Sequence, residues 1–263
     1  MKIHKLLPAL SLLAWAALPS MAEDADTQAD ANNPLAFKAG ISFHNYYIGD
    51  LTIGDGDDTL GKYADQGIIR FAQPFTIGET KWIGRASLNI NNLPALDGYD
   101  TGLGDLNLLT SYIFDTNPGI SFGIGPMLNI PTATEDSLGS GKWSGGLANV
   151  FFNKTSPKFQ YGYLATYAHS FAGDDDRDTV NLGSLQLFGF YQLGKGYYLR
   201  TSPIMTYNFE NDNYMVPVGL GFGKVFNTDY ATFNLFVEPQ YSVFRRGAGL
   251  PEWQVFTGLN IQF

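Results

Sequence analysis

Apolar and polar residues alternate one by one along most of the chain after residue 36. In residues 252–263, tryptophan, valine, leucine, isoleucine and phenylalanine take alternate positions, and the positions between them are mostly polar. Residues 231–243 repeat the pattern. Successive side chains of a strand point to opposite faces, so a period of two predicts strands with one apolar and one polar side. Helical spacing is absent from any segment of useful length, and the predicted fold class is all-β.

Turn residues divide this region into twelve predicted strands. Most of them are long enough to cross a bilayer at a tilt, which takes roughly 9–11 residues. We place the strands at residues 36–48, 66–76, 81–90, 103–114, 119–130, 143–152, 158–171, 180–192, 197–208, 215–226, 231–243 and 252–263.

The connections between these strands alternate between short and long. The short ones are IGET, DTNP, NKTSP, LGKG and NTDY, and the long ones are residues 49–65, 91–102, 131–142, 172–179, 209–214 and 244–251. Tight turns at one end and long, acidic loops at the other are typical of a transmembrane up-and-down antiparallel β-barrel of the bacterial outer membrane. A soluble β-sandwich is the alternative, in which the apolar faces would form an internal core.

Aromatic residues cluster where the predicted strands meet short turns. In a sandwich these rings would be core, but their repetition at one end of successive strands favours a belt at a membrane interface. They are Phe37, Phe75, Trp82, Phe114, Phe159, Tyr197 and Phe226. The chain ends on Phe263, as outer-membrane barrels commonly do, and we expect the barrel assembly machinery to recognise this C-terminal strand.

Residues 1–22 have the layout of a secretory signal peptide: two lysines, an apolar stretch, and small residues before a cleavage site. A retained membrane anchor is the poorer alternative, because the apolar stretch is short and Pro19 lies near its end. Residues 23–35 are polar and acidic and are predicted to be a disordered leader. The barrel itself is predicted over residues 36–263, in the outer membrane of a Gram-negative bacterium.

Composition excludes several classes of protein. The absence of cysteine rules out a disulfide scaffold, a thiol enzyme and a cysteine-ligated metal site. A net charge of −9 argues against a nucleic-acid partner held by a basic face. Beyond the predicted signal peptide, no stretch approaches the roughly 20 apolar residues of a membrane-spanning helix.

Four strings together resemble a known family of outer-membrane proteins. They are GLGDLNL (102–108), PTATEDSLGSGKWSGG (131–146), SFAGDDDRDTVN (170–181) and GLPEW (249–253). They resemble the outer-membrane transporter family labelled "MetA-pathway of phenol degradation", some members of which carry a "neuromedin U" label. The resemblance runs from about residue 33 to residue 263. It implies a barrel that passes aromatic or hydrophobic compounds, and it supplies no catalytic residue.

If the apolar faces contact lipid, the opposite faces line the lumen. The lumen-lining candidates are Lys38, His44, Arg70, Arg85, Asp105, Arg200, Glu238 and Gln240. On adjacent strands, Lys38, Arg70 and Arg85 are predicted to form a basic strip. The carboxylates expected to face this strip are Asp105, Glu238 and Glu252. Opposed rows of charge orient polar solutes in transit. The alternative is a set of internal salt bridges that only fill the lumen.

Gly219, Gly221 and Gly223 alternate along the tenth predicted strand and point inward. They either widen the bore by removing side chains or mark a bend or bulge.

Enzymatic and metal-binding hypotheses find little support. Ser42 and His44 share a strand face, but no orienting group or oxyanion donors are recognisable near them, so no catalytic residue is predicted. The strings DGDD (55–58) and GDDDRD (173–178) are rich in oxygen ligands, yet neither has the spacing of a known calcium loop. We interpret them as solvated loops facing lipopolysaccharide, and we predict neither metal nor cofactor.

The sequence therefore predicts a passive outer-membrane channel for small organic solutes, aromatic or hydrophobic in character. A closed structural or adhesive barrel is the alternative, and an outer-membrane lipid enzyme is a weaker third hypothesis. The predicted partners are outer-membrane lipid, lipopolysaccharide and the solutes themselves.

Overall fold

A computed structural model describes residues 30–54 and 58–263; the predicted signal peptide lies outside these residues. A 3₁₀ turn covers Asp136–Leu138. No helix in the described parts of the chain is long and apolar enough to cross a membrane. The strands are β1 (Gly40–Ile48), β2 (Leu51–Gly54), β3 (Ala64–Ile77), β4 (Thr80–Ala95), β5 (Gly98–Asn117), β6 (Ile120–Ile130), β7 (Lys142–Asn153), β8 (Phe159–Gly173), β9 (Asn181–Gly194), β10 (Tyr197–Thr201), β11 (Ile204–Asn208), β12 (Asn213–Gly219), β13 (Gly221–Asn227), β14 (Thr232–Pro251) and β15 (Trp253–Gln262).

These strands form a closed antiparallel barrel of twelve spanning segments. Strands β10 and β11 together make one segment, as do β12 and β13, while β2 only pairs with the end of β14. Strand β1 pairs with both β3 and β15, which joins the two ends of the sheet. Every spanning segment in the described part of the chain thus pairs with a neighbour on each side, and this confirms the predicted all-β, twelve-stranded barrel.

Strand boundaries differ from the prediction mainly at the long-loop end. Strands β4 and β5 stay paired up to Ala95 and Gly98, so most of the predicted loop 91–102 is an extended hairpin. Strand β14 likewise continues to Pro251 through the predicted loop 244–251. The first strand begins at Gly40 rather than residue 36. The five short turns occur where they were predicted.

The outer surface of the barrel is apolar. Phe43, Phe71, Leu147, Leu187 and Leu235 are each between 44% and 60% exposed on outward positions of the strands. A continuous apolar surface of this kind on a closed barrel is suited to lipid rather than to water.

Aromatic rings border this surface at both ends. Near the short turns, the ring of Phe75 stacks on Trp82 at 6.4 Å and that of Phe114 stacks on Phe122 at 5.6 Å. At the other end, Tyr47 lies 5.8 Å from Tyr63. Amphipathic rings at two levels correspond to the aromatic girdles that mark the two membrane interfaces.

Residues 30–36 lie inside the barrel, across its lumen at the short-turn end. Ala31 and Leu35 are each 4% exposed. Ala31 packs in a cluster with Phe152 and Tyr198, and Leu35 packs in a second cluster with Ile83. Of the predicted acidic leader, residues 23–29 lie outside the described part of the chain. Residues 30–35 of this predicted leader are packed, because the apolar side chains of Ala31 and Leu35 contact the inner wall.

Polar contacts also hold this N-terminal segment in place. The Nδ2 of Asn234 donates to the carbonyl of Ala31 and to Oδ1 of Asn32, both at 3.0 Å. The Nζ of Lys154 lies 2.6 Å from Oδ1 of Asp30. The segment is thus tied to two walls of the barrel before it enters β1.

The barrel wall is interrupted between two neighbouring spanning segments. Strands β10 and β13 pair at one level and β11 and β12 at another, and among the described residues none of 201–205 pairs with 216–220. Pro203 and Pro217 lie in these stretches and have no N–H to donate. This interruption turns the backbone of Ser202 towards the lumen, where a side chain takes over its hydrogen bonding.

Candidate functional site

The lumen contains a cavity of about 510 Å³. Its wall combines aliphatic and aromatic side chains, such as Ile68, Ile83, Leu164 and Phe188, with polar ones, such as Gln186. Predominantly apolar pockets with a few placed polar groups are typical of sites for small organic ligands.

The eight predicted lumen residues fall into three groups. Five line the cavity: Lys38, His44, Arg70, Arg85 and Arg200. Glu238 and Gln240 are buried behind it at 0% and 4% exposure. Asp105 lies under loop 131–142.

Glu238 is the centre of a buried hydrogen-bond network. Its Oε2 accepts from the Nε of Arg200 at 2.7 Å and from Oγ of Ser202 at 2.9 Å. Its Oε1 accepts from the backbone N–H of Ser202 and from Nε2 of Gln240, both at 2.8 Å. Four donors saturate the acceptor sites of one carboxylate. Glu238 therefore neutralises Arg200 and replaces the strand partner that Ser202 lacks.

Aromatic rings surround the Arg200 guanidinium. Its Cζ lies 3.6 Å from the centre of the Phe236 ring and 5.3 Å from that of Phe256. A cation over a ring face is attracted by the ring quadrupole. The imidazole of His44 packs edge-on against the same two rings, at 5.5 and 5.2 Å. Arginine, histidine and two phenylalanines thus form one wall of the cavity.

Arg70 and Arg85 lie on the opposite side of β1 from this wall. Arg70 stands directly across from Ser42 and Ser87, and Arg85 is two residues from Ser87 on β4. The Nε of Arg70 donates to Oγ of Ser87 at 2.9 Å. The buried Nε of Arg85 has no partner among the described residues.

The predicted carboxylates do not face this basic strip. Oδ2 of Asp105 accepts from the backbone N–H of Ser140 at 2.8 Å and from its Oγ at 2.7 Å, so it serves loop 131–142. Glu252 pairs with Arg245 at 3.4 Å. Because each carboxylate already has a structural partner, the expected opposed rows of charge are not formed.

Loop 131–142 folds back onto the inner wall. Leu138 is 4% exposed, and its carbonyl accepts from Nδ2 of Asn91 at 3.1 Å. The Nη2 of Arg177 donates to the carbonyls of Asp136 at 2.6 Å and of Gly139 at 2.5 Å. Two of the strings that carry the family resemblance therefore meet here, since Arg177 belongs to SFAGDDDRDTVN and the loop to PTATEDSLGSGKWSGG.

Of the two predicted roles, the glycines of the tenth spanning segment mark a bend and do not widen the bore. The segment breaks between Gly219 and Gly221. A Cβ on Gly221 would press on the backbone and Cβ of Glu238, and one on Gly223 would overlap the Tyr198 ring. Removing these side chains leaves room for inward-pointing neighbours rather than for a wider bore.

The N-terminal segment forms the floor of the cavity. Asn33 and Ala36 line the cavity on one side and a separate groove at the short-turn end on the other. Residues 30–36 thus lie between the cavity and this end of the barrel.

The aromatic part of the site was not among the residues predicted from the sequence. Phe236 and Phe256 occupy positions on the polar, inward side of their strands, and both are buried, at 7% and 4% exposure. A large apolar residue among polar ones on the same strand face was the available signal, because such a residue needs an apolar surface inside the lumen.

The positions of the histidines and carboxylates do not support the enzymatic and metal-binding hypotheses. Nε2 of His44 bonds to Oδ1 of Asn260 at 2.7 Å, and Nδ1 of His169 bonds to the carbonyl of Ser170. Within the described residues, no three histidines or carboxylates are grouped as metal ligands. Residues 55–57 of the DGDD string lie outside the described residues.

Comparison with known structures finds outer-membrane barrels. A COG4313 outer membrane channel from Pseudomonas putida F1 superposes with a TM-score of 0.66, at 13% identity over 88% of this chain and 99% of that one. The NanC porin gives a TM-score of 0.54, at 8% identity over 85% of this chain and 98% of that one. No family model matches the sequence, and no curated protein matches it. At these identities the likeness concerns the fold, which is that of outer-membrane channels and porins.

Proposed function

We propose that the protein is an outer-membrane channel for the passive passage of small organic solutes. The cavity of about 510 Å³ inside a closed barrel with an apolar outer surface is the observation that carries this proposal. A solute small enough to fit this cavity would be held inside the lumen on its way between the two ends of the barrel. Diffusion down a gradient requires no cofactor and no catalytic residue.

The composition of the cavity favours aromatic or hydrophobic solutes. Phe188, Phe190, Phe236 and Phe256 all line it. Rings bind flat aromatic solutes by stacking and edge contacts. The resemblance to the "MetA-pathway of phenol degradation" family points to the same class of compound. The outer leaflet partner would be lipopolysaccharide, and assembly would proceed through the strand that ends at Phe263.

Passage requires the N-terminal segment to move, because residues 30–36 form the floor of the cavity. This gives a direct test. The chain has no cysteine, so Ala31→Cys with Val225→Cys introduces the only pair of thiols, on side chains that share one cluster. Bridging the thiols should fix the segment across the barrel.

The measurement is flux of phenol and benzoate into proteoliposomes. We expect the unbridged double variant to transport like the unmodified protein, and the bridged form to lose transport until a reductant restores it. A single Ala31→Cys variant treated in the same way is the control. A correctly folded protein that gives no flux above that of empty liposomes would contradict the proposal.

The second candidate function is a closed structural or adhesive barrel. The position of residues 30–36 across the lumen favours it, as does the folding of Leu138 against the inner wall. An absence of flux in the unbridged, the bridged and the reduced forms of the double cysteine variant would support this candidate.

A further inference from the structure

The cavity is lined by cations without carboxylates. Lys38, Arg70, Arg85 and Arg200 line it, and none of its lining residues within the described parts of the chain is an aspartate or glutamate. This is a local reversal of the overall net charge of −9.

Within residues 30–54 and 58–263, only one of these four charges has a carboxylate partner. Arg200 is paired with Glu238, whose four acceptor sites are taken, so this carboxylate has no capacity left for a second cation. Asp105 is engaged by Ser140, and Glu252 by Arg245. Three positive charges on the cavity wall are therefore left without a carboxylate among the residues that the structure describes.

Arg70 and Arg85 are the two that lie closest together in the sheet. They are diagonal neighbours on β3 and β4, a spacing that long side chains bridge. To described residues, Arg70 makes one hydrogen bond, to a neutral hydroxyl, and the buried Nε of Arg85 makes none. Buried charges are costly unless they are paired and hydrogen-bonded, so these donors favour an anionic ligand.

The surroundings define the rest of that ligand. Ile68 and Ile83 are the inward neighbours of the two arginines on their own strands, and the aromatic wall of Phe236 and Phe256 lies across β1. A guanidinium binds a carboxylate through two parallel hydrogen bonds, and the rings bind a flat apolar body.

We infer that the lumen holds a binding site for a small aromatic carboxylate, with the carboxylate on Arg70 and Arg85 and the ring against Phe236 and Phe256. This site deepens the proposed channel function by naming its solute class. Binding is measured separately from passage, so the two proposals fail independently.

The test is calorimetric titration of the folded protein in a neutral detergent with benzoate and with its uncharged analogue benzamide. We expect benzoate to bind more tightly than benzamide and its affinity to fall as salt is raised, because ions screen the attraction. Arg70→Gln and Arg85→Gln should each weaken benzoate binding about tenfold, as loss of a charge-assisted hydrogen bond does, and leave benzamide unchanged. Arg85→Lys should restore only part of the affinity, because an ammonium lacks the planar fork.

Arg246→Gln is the matched control, since Arg246 is exposed at the long-loop end and does not line the cavity. It should bind benzoate like the unmodified protein. Circular dichroism establishes that each variant is folded. Equal affinities for benzoate and benzamide, or benzoate binding that survives both arginine substitutions, would overturn the inference even if flux is observed. Selective benzoate binding without flux would instead uphold the site and contradict the channel.

Discussion

Arg200 and Glu238 form a buried ion pair across a strand that separates them. Nε of Arg200 lies 2.7 Å from Oε2 of Glu238, and the two side chains are 6% and 0% exposed. Strand β13 lies between β10 and β14, and the pair reaches across it because Gly221 has no side chain there. The same carboxylate satisfies the N–H of Ser202 at the interruption of the wall, so one residue stabilises both the charge and the backbone.

Glu238→Gln should therefore destabilise the barrel strongly. The substitution leaves the Arg200 charge buried without a counter-charge, which typically costs about 3–5 kcal/mol. Urea unfolding of the protein in lipid vesicles measures the effect. Asp30→Asn is the comparison, since the Lys154–Asp30 pair is 26% exposed on both sides and such pairs contribute less than about 1 kcal/mol. Equal destabilisation by the two substitutions would contradict this account.

Gly223→Ala should also destabilise the barrel, by about 1–3 kcal/mol, as overpacking does. The new methyl group would overlap the Tyr198 ring, whose hydroxyl is fixed by a 2.5 Å hydrogen bond to Asn234. Gly189→Ala is the matched strand control, because its Cβ would meet Phe159 and Thr201 at an ordinary 3.6 Å. The free energy of unfolding should stay unchanged or rise slightly in the control. A tolerated Gly223→Ala would mean that the Tyr198 ring moves freely.

The twelve spanning segments were predictable because lipid and lumen impose opposite polarity on alternate residues. Beyond the lipid, at the long-loop end, alternate residues no longer differ in polarity, although the strands remain paired. Asn91 and Asn92 on β4 still pair with Gly102 and Thr101, where no apolar alternation marks a strand. The sequence pattern therefore locates the membrane-embedded part of each strand and misses its extension.

The partners inside the lumen were not predictable in the same way. Arg200 and Glu238 were both identified as inward-facing, but their pairing depends on a break in the wall that no local pattern signals. The position of Ala31 depends on contacts with strands more than a hundred residues away. Short segments without periodicity carry no information about which wall they contact.

Asn234→Ala should release the N-terminal segment. The substitution removes the two hydrogen bonds that hold Ala31 and Asn32, each contributing about 0.5–1.5 kcal/mol, and also the acceptor of the Tyr198 hydroxyl. With an added Ala31→Cys, whose side chain is buried, a water-soluble maleimide reports opening of the segment, and labelling should become about tenfold faster. Thr116→Cys, at the exposed end of β5, should react rapidly with or without Asn234→Ala. If Ala31→Cys is labelled at the same rate with and without Asn234→Ala, other contacts hold the segment.

Arg177→Ala should loosen loop 131–142 without unfolding the barrel. The guanidinium donates to the carbonyls of Asp136 and Gly139, and hydrogen bonds to a charged group contribute about 1.5–3 kcal/mol. The amide of Leu138, which donates to Glu135 at 3.0 Å, should then exchange its hydrogen about 10–100 times faster, because exchange follows local opening. Asp175→Asn, an exposed position in the same loop as Arg177, should leave this exchange unchanged. If the rate at Leu138 stays constant in Arg177→Ala, burial of its side chain against the inner wall, rather than the arginine, holds the loop inside the barrel.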